Sequence, residues 1–87
     1  ESMRDAGILD GDIVVVQRTA AVGNGQIVVA RLGEEATVKI YRRRGSLLRL
    51  EPANDAYTPL EIDLATQACV IEGLVVGIAR AGLPQRR

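Results

Sequence analysis

The sequence predicts an all-β fold of mainly antiparallel strands. Its apolar residues are mostly Val, Ile and Leu in short runs, and turn signals separate those runs at close spacing. Val and Ile are strand formers. The only aromatic residues are Tyr41 and Tyr57, so a core built from this chain must be filled by many small contacts.

Each element has its own signal. Ser2–Gly7 reads as a short helical turn. Asp12–Arg18 (Asp-Ile-Val-Val-Val-Gln-Arg) reads as the first strand. Ala20–Gly25 is a turn region, with Asn24-Gly25 able to supply a positive φ. Gln26–Leu32 is the return strand. Gly33-Glu34 turns the chain into a third strand over Glu35–Arg43, and Arg44-Gly45 turns it into a fourth over Ser46–Glu51. Pro52–Pro59 is irregular, with a proline at each end. Leu60–Leu64 is a short strand. Val70–Arg80 is a long last strand, nicked by Gly73 and Gly77, where bulges or bends are expected. Its Val70–Ile78 stretch is apolar enough to suggest an exposed edge open to pairing, against the competing reading of an internal strand.

Length and composition bound the function. The 87 residues predict one domain over positions 1–87. A chain this short buries only ~60% of its unfolded surface. Cys69 is the sole cysteine, which rules out a disulfide within the chain and a thiolate metal cluster. It stands in the apolar run Ala68-Cys69-Val70-Ile71 and reads as a buried structural thiol. Eleven basic and eleven acidic residues cancel, so the net positive charge expected of a DNA-binding domain is missing. No apolar run approaches the ~20 residues of a membrane helix. The opening Glu-Ser-Met-Arg-Asp does not resemble a signal peptide, and the abrupt start reads as a fragment of a longer chain. No metal and no cofactor are expected.

Two local features have plain structural readings. Arg42-Arg43-Arg44 falls at a hairpin tip and reads as a solvated turn. Gly23-Asn24-Gly25 lacks the Lys-Ser/Thr and the helix of a phosphate loop, and reads as a turn.

The sequence contains no histidine. A Ser/His/Asp triad and an imidazole-based zinc site are both impossible. A serine doing covalent chemistry here needs another base, and a desolvated lysine is the best available. An ordinary lysine, with a pKa of about 10.4, is almost wholly protonated at neutral pH. Burial lowers that value by up to ~3–5 units. The candidates are Ser2 and Lys39. Lys39 lies between Val38 and Ile40 in the third strand, and alternation puts Thr37, Lys39 and Tyr41 together on the other face. From that pattern alone, Lys39 reads as a solvated lysine on a polar face, and Ser2 as a loop or capping residue.

An ordered set of segments changes the weighting. Glu1-Ser2-Met3, Gly7-Ile8-Leu9-Asp10-Gly11-Asp12, Asn24-Gly25-Gln26 and Thr37-Val38-Lys39 resemble the catalytic domain of LexA-type repressors. So do Leu50-Glu51-Pro52-Ala53-Asn54, Tyr57-Thr58-Pro59, Ile71-Glu72-Gly73 and Val76-Gly77-Ile78-Ala79-Arg80. The 37 positions between Ser2 and Lys39 suit that family's Ser–Lys dyad. UmuD-type mutagenesis proteins and phage repressors are related. Signal peptidases share the Ser-Met start and a lysine base. They differ in a proline two residues after the Met and in a membrane anchor.

The resemblance implies a LexA/signal-peptidase-like β-fold and a self-cleaving serine endopeptidase, with Ser2 as nucleophile and Lys39 as general base. The backbone N–H groups of Glu1 and Ser2 would hold the oxyanion. It also implies a cytoplasmic repressor of the DNA-damage (SOS) response. Its partner would be a RecA filament on single-stranded DNA. It would form a homodimer through Val70–Arg80, and operator DNA would be bound only through a separate N-terminal domain. The cleaved Ala-Gly bond, its loop and the first strands of the fold would lie upstream of Glu1. Ala6-Gly7 is too close to Ser2 to reach back into the site, and Ala81-Gly82, before the tail ending Pro84-Gln85-Arg86-Arg87, reads as coincidence. A non-catalytic dimerisation module and a UmuD-like polymerase accessory protein are the alternatives.

Overall fold

The computed structural model describes residues 1–80. Six strands form one antiparallel sheet: β1 (Asp12–Gln17), β2 (Ile27–Leu32), β3 (Glu35–Arg44), β4 (Leu47–Glu51), β5 (Leu60–Asp63) and β6 (Val70–Arg80). Their order across the sheet is β1-β6-β2-β3-β4-β5. A single 3-10 turn, Arg4–Ala6, precedes β1 and ends at Gly7, whose φ of 84° is left-handed. The predicted elements are all present; the strand ends are shifted by a residue or less, and the helical turn begins two residues later than predicted. No helix among the described residues is long and apolar enough to cross a membrane.

The pairing corrects two expectations. Gln26–Leu32 is not the return strand of a hairpin with Asp12–Arg18, because β6 lies between β1 and β2. Asn24 instead latches onto β3: its side-chain oxygen accepts from the Arg43 N–H at 2.6 Å and its amide donates to the Arg43 carbonyl at 3.2 Å. The last strand is likewise internal in sheet order. It pairs with β2 over Val70–Arg31 to Leu74–Val28 and with β1 from Leu74 to Arg80. Among the described residues, the stretch beyond Leu74 has a strand partner on one side only.

Both bulges of β6 stand beside its glycines. The register slips between Val29 and Ala30 opposite Glu72, and between Val15 and Val16 opposite Val76. Gly73 has a steric role as well. A Cβ there would lie 2.3 Å from Val16 Cγ1 and 2.6 Å from the Gln17 carbonyl oxygen, so only glycine lets β1 approach this closely.

The core covers one face of β2 to β5. Val28, Ala30, Tyr41, Leu48, Leu50 and Ile62 form it, with Val22, Leu32, Leu64, Cys69 and Ile71 packed at its margin. Cys69 is half-buried, and burial pushes its thiol pKa up, as suits a structural thiol. The opposite face of β3–β4–β5 carries charge: Arg42 and Arg49 both pair with Glu51 at 3.2 Å, and Arg49 pairs with Glu61. Arg42–Arg44 are exposed at the end of β3, one residue deeper in the strand than the predicted tip.

Candidate active site

Ser2 stands at the entrance to the 3-10 turn. The Arg4 N–H donates to the Glu1 carbonyl at 3.1 Å, and the Ala6 and Ile8 N–H groups donate to the Met3 carbonyl. Met3 and Ile8 are buried at 3% and 8% exposure, so apolar anchors hold the turn that follows the serine at both of its ends. The Asp10-Gly11-Asp12 turn then leads into β1. The Asp12 carboxylate accepts from the Leu9 N–H at 2.8 Å and from Arg80 at 2.9 and 3.0 Å. Arg80, chiefly, and the Leu9 N–H hold the Asp12 carboxyl below the usual carboxylate range. This part of the segment does structural work.

Lys39 arrives from the middle of β3, and its environment corrects the polar-face reading. Val28 pairs with Lys39 and Ala30 with Thr37 across the β2–β3 ladder. Directly opposed residues share a face. Val28 and Ala30 are fully buried, so the face carrying Thr37, Lys39 and Tyr41 is the core face. The periodicity was right and the choice of solvated face was wrong.

Ser2 and Lys39 meet. Lys39 Nζ donates to Ser2 Oγ at 2.9 Å, to Thr37 Oγ1 at 2.7 Å and to the Val38 carbonyl at 3.2 Å. Residues 1–3, 8–10 and 37–39 line a cleft of about 140 Å³ around this contact. Burial lowers the Lys39 pKa from its ordinary value. No ion pair offsets that desolvation among the described residues. A larger concavity of about 530 Å³, lined by Arg42, Arg43, Arg44 and Arg49, contains neither Ser2 nor Lys39.

Two contributors went unrecognised as site residues in the sequence. Thr37 is an additional acceptor for Lys39 Nζ. Its signal was available, since residues i and i+2 of a strand share a face. Asn54 had none: it reaches the Ser2 segment across 53 positions, donating through Nδ2 to the Glu1 carbonyl at 2.8 Å. It is the buried polar residue of the structure's described part, at 6% exposure.

Comparison with known proteins agrees with the resemblance read from the segments. The family model described as Peptidase S24-like matches residues 1–76. A LexA repressor of Marinobacter nauticus is 56% identical over 79 residues, which cover 91% of this chain and 39% of the relative. LexA repressors of Marinomonas sp. (strain MWYL1) and Thiobacillus denitrificans are each 49% identical over 82 residues, 94% of this chain and 40% and 41% of the relatives. The chain thus spans about two fifths of the length of the curated relatives it matches. With the family model covering most of its length, and a serine and a lysine in contact at its cleft, this chain belongs to the Peptidase S24-like family.

Proposed function

We propose that this chain is the catalytic part of a LexA-type SOS repressor that cleaves itself, with Ser2 as nucleophile and Lys39 as general base. The contact of 2.9 Å between Lys39 Nζ and Ser2 Oγ carries this reading. A neutral amine has two N–H donors and one lone pair. Thr37 Oγ1 and the Val38 carbonyl take the two donors, which leaves the lone pair to accept the Ser2 hydroxyl proton. Ser2 Oγ then bonds to the scissile carbonyl carbon as its proton passes to Lys39. The oxyanion is held by backbone N–H groups at Glu1 and Ser2. On collapse the C–N bond breaks, and the Lys39 ammonium gives its proton to the leaving amine. Water, deprotonated by Lys39, hydrolyses the ester.

The substrate bond belongs to a loop of the same protein outside this chain. A RecA filament on single-stranded DNA would favour the closed loop, and closure would further desolvate Lys39. Operator binding would rest with another part of the protein, in the cytoplasm. The naming of the relatives as LexA repressors supports this over a UmuD-like accessory role. The test is self-cleavage of the full-length protein with activated RecA filaments. Ser2→Ala and Lys39→Ala are each expected to abolish it, and normal cleavage in Lys39→Ala would overturn the assignment.

The same protein would dimerise through Val70–Arg80. Val76 and Ile78 on β6 and Ile13 and Val15 on β1 are exposed, and among the described residues the half of β6 beyond Leu74 has a strand partner on one side only. Ile78→Asp is expected to shift the sedimentation of the full-length protein from dimer towards monomer.

A further inference from the structure

Building on the dyad reading, we propose that Asn54 is a positioning residue for the nucleophile, fixing the peptide whose N–H serves the oxyanion. Three observations carry this. Asn54 is almost fully buried although polar, and its amide is satisfied at both ends. Its oxygen accepts from the Ala56 N–H at 3.0 Å and from Arg4 Nη2 at 3.4 Å, while its nitrogen donates to the Glu1 carbonyl at 2.8 Å. This pattern of partners sets which end of the amide faces the serine segment.

The Glu1 carbonyl belongs to the Glu1–Ser2 peptide. That unit is planar and trans, so its C=O and N–H point in opposite directions. Pinning the Glu1 oxygen therefore aims the Ser2 N–H. The Arg4 N–H takes the other lone pair of the same oxygen. The peptide on the far side of Ser2 is held from the same loop, where the Ala53 N–H donates to the Ser2 carbonyl at 2.6 Å. The Asp5 N–H returns to the Ala53 carbonyl at 2.6 Å. Both peptide planes flanking the nucleophile are thus clamped by the loop between β4 and β5. Donation into the Glu1 carbonyl also polarises its peptide and strengthens the N–H that an oxyanion would use. No hydrogen bond engages the Ser2 N–H among the described residues.

The role differs from that of Lys39, and the pH–rate profile separates them. Asn54→Asp keeps an acceptor for the Ala56 N–H and removes the donor to Glu1, and Asn54→Ser keeps a hydroxyl acceptor while withdrawing the Nδ2 donor, its own O–H sitting on a side chain too short to take that place. Self-cleavage of the full-length protein is measured from neutral to alkaline pH, with folding checked by thermal melts. The comparison is made on the alkaline plateau, where Lys39 is neutral and any charge effect of the aspartate on it has been titrated out. A mis-aimed oxyanion donor should lower that plateau about ten- to a hundredfold, short of the ~10²–10³ for outright loss of such a donor. The use of two variants lets either one decide if the other fails to fold. A folded variant with the wild-type plateau overturns the positioning role. If Lys39→Ala abolishes cleavage in the same series, only the role of Asn54 has failed; if Lys39→Ala still cleaves, the dyad reading falls and Asn54's role with it.

Discussion

Lys39 lies directly opposite Val28 in the β2–β3 ladder, and Val28 is fully buried. This pairing puts a charged side chain on the apolar face of the sheet. Its ammonium is desolvated there, and its amine is left facing a serine hydroxyl. The same contact defines a stability cost and a chemical opportunity.

The pH dependence follows from the lowered Lys39 pKa. Below that pKa the folded protein carries a desolvated ammonium, and a base must be neutral to act. Self-cleavage is expected to rise with pH, about tenfold per unit well below the Lys39 pKa, and to level off before the ordinary lysine value of about 10.4. Rates measured across pH on the full-length protein check this.

The stability cost has its own sign. The unfolded lysine binds a proton more tightly than the folded one, so wild-type stability rises with pH between the lowered and the ordinary pKa. Lys39→Met is expected to raise the melting temperature at neutral pH. Its advantage should shrink through that window. Thermal melts of both proteins in a Ser2→Ala background, which cannot cleave, make the comparison.

Thr37→Val removes an acceptor from Lys39 Nζ and adds apolar surface beside it. The ammonium loses more than the amine does, so the midpoint of the rate profile should move to lower pH. The amine also loses a contact that orients its lone pair, and the plateau rate should fall, on the order of tenfold. A lowered midpoint together with a lowered plateau separates this outcome from simple unfolding, which lowers the rate without moving the midpoint.

Gly73→Ala should destabilise the fold by about 1–3 kcal/mol or more, because its Cβ meets Val16 and the Gln17 backbone. Gly77→Ala has ordinary van der Waals distances to Val15 and should be far milder. Urea denaturation of the two variants against wild type tests the contrast.

Asp12 should contribute to acid sensitivity. Its carboxyl pKa is lowered, chiefly by Arg80, so its contribution is present above the ordinary Asp value and is lost as pH falls through the lowered one. Asp12→Asn should melt lower than wild type at neutral pH, and the gap should narrow in strong acid.

Much of this protein was legible in one dimension. Runs of β-branched residues and the glycine turns placed all six strands. The absence of histidine left lysine as the best available base for a catalytic serine. The ordered segments pointed to the family. These are local properties, set by backbone preference and side-chain chemistry. Strand pairing was not local: the insertion of β6 between β1 and β2 joins residues some sixty positions apart. Alternation grouped Thr37, Lys39 and Tyr41 but could not say which face was buried, because burial depends on Val28, Ala30 and whatever else covers them. Asn54 was quoted only as part of a segment, since an amide reveals its role when the chain brings a distant carbonyl within reach. The sequence alone determined which chemistry was available to this chain; the tertiary structure decided where its lysine is partly withdrawn from water and what holds its serine in place.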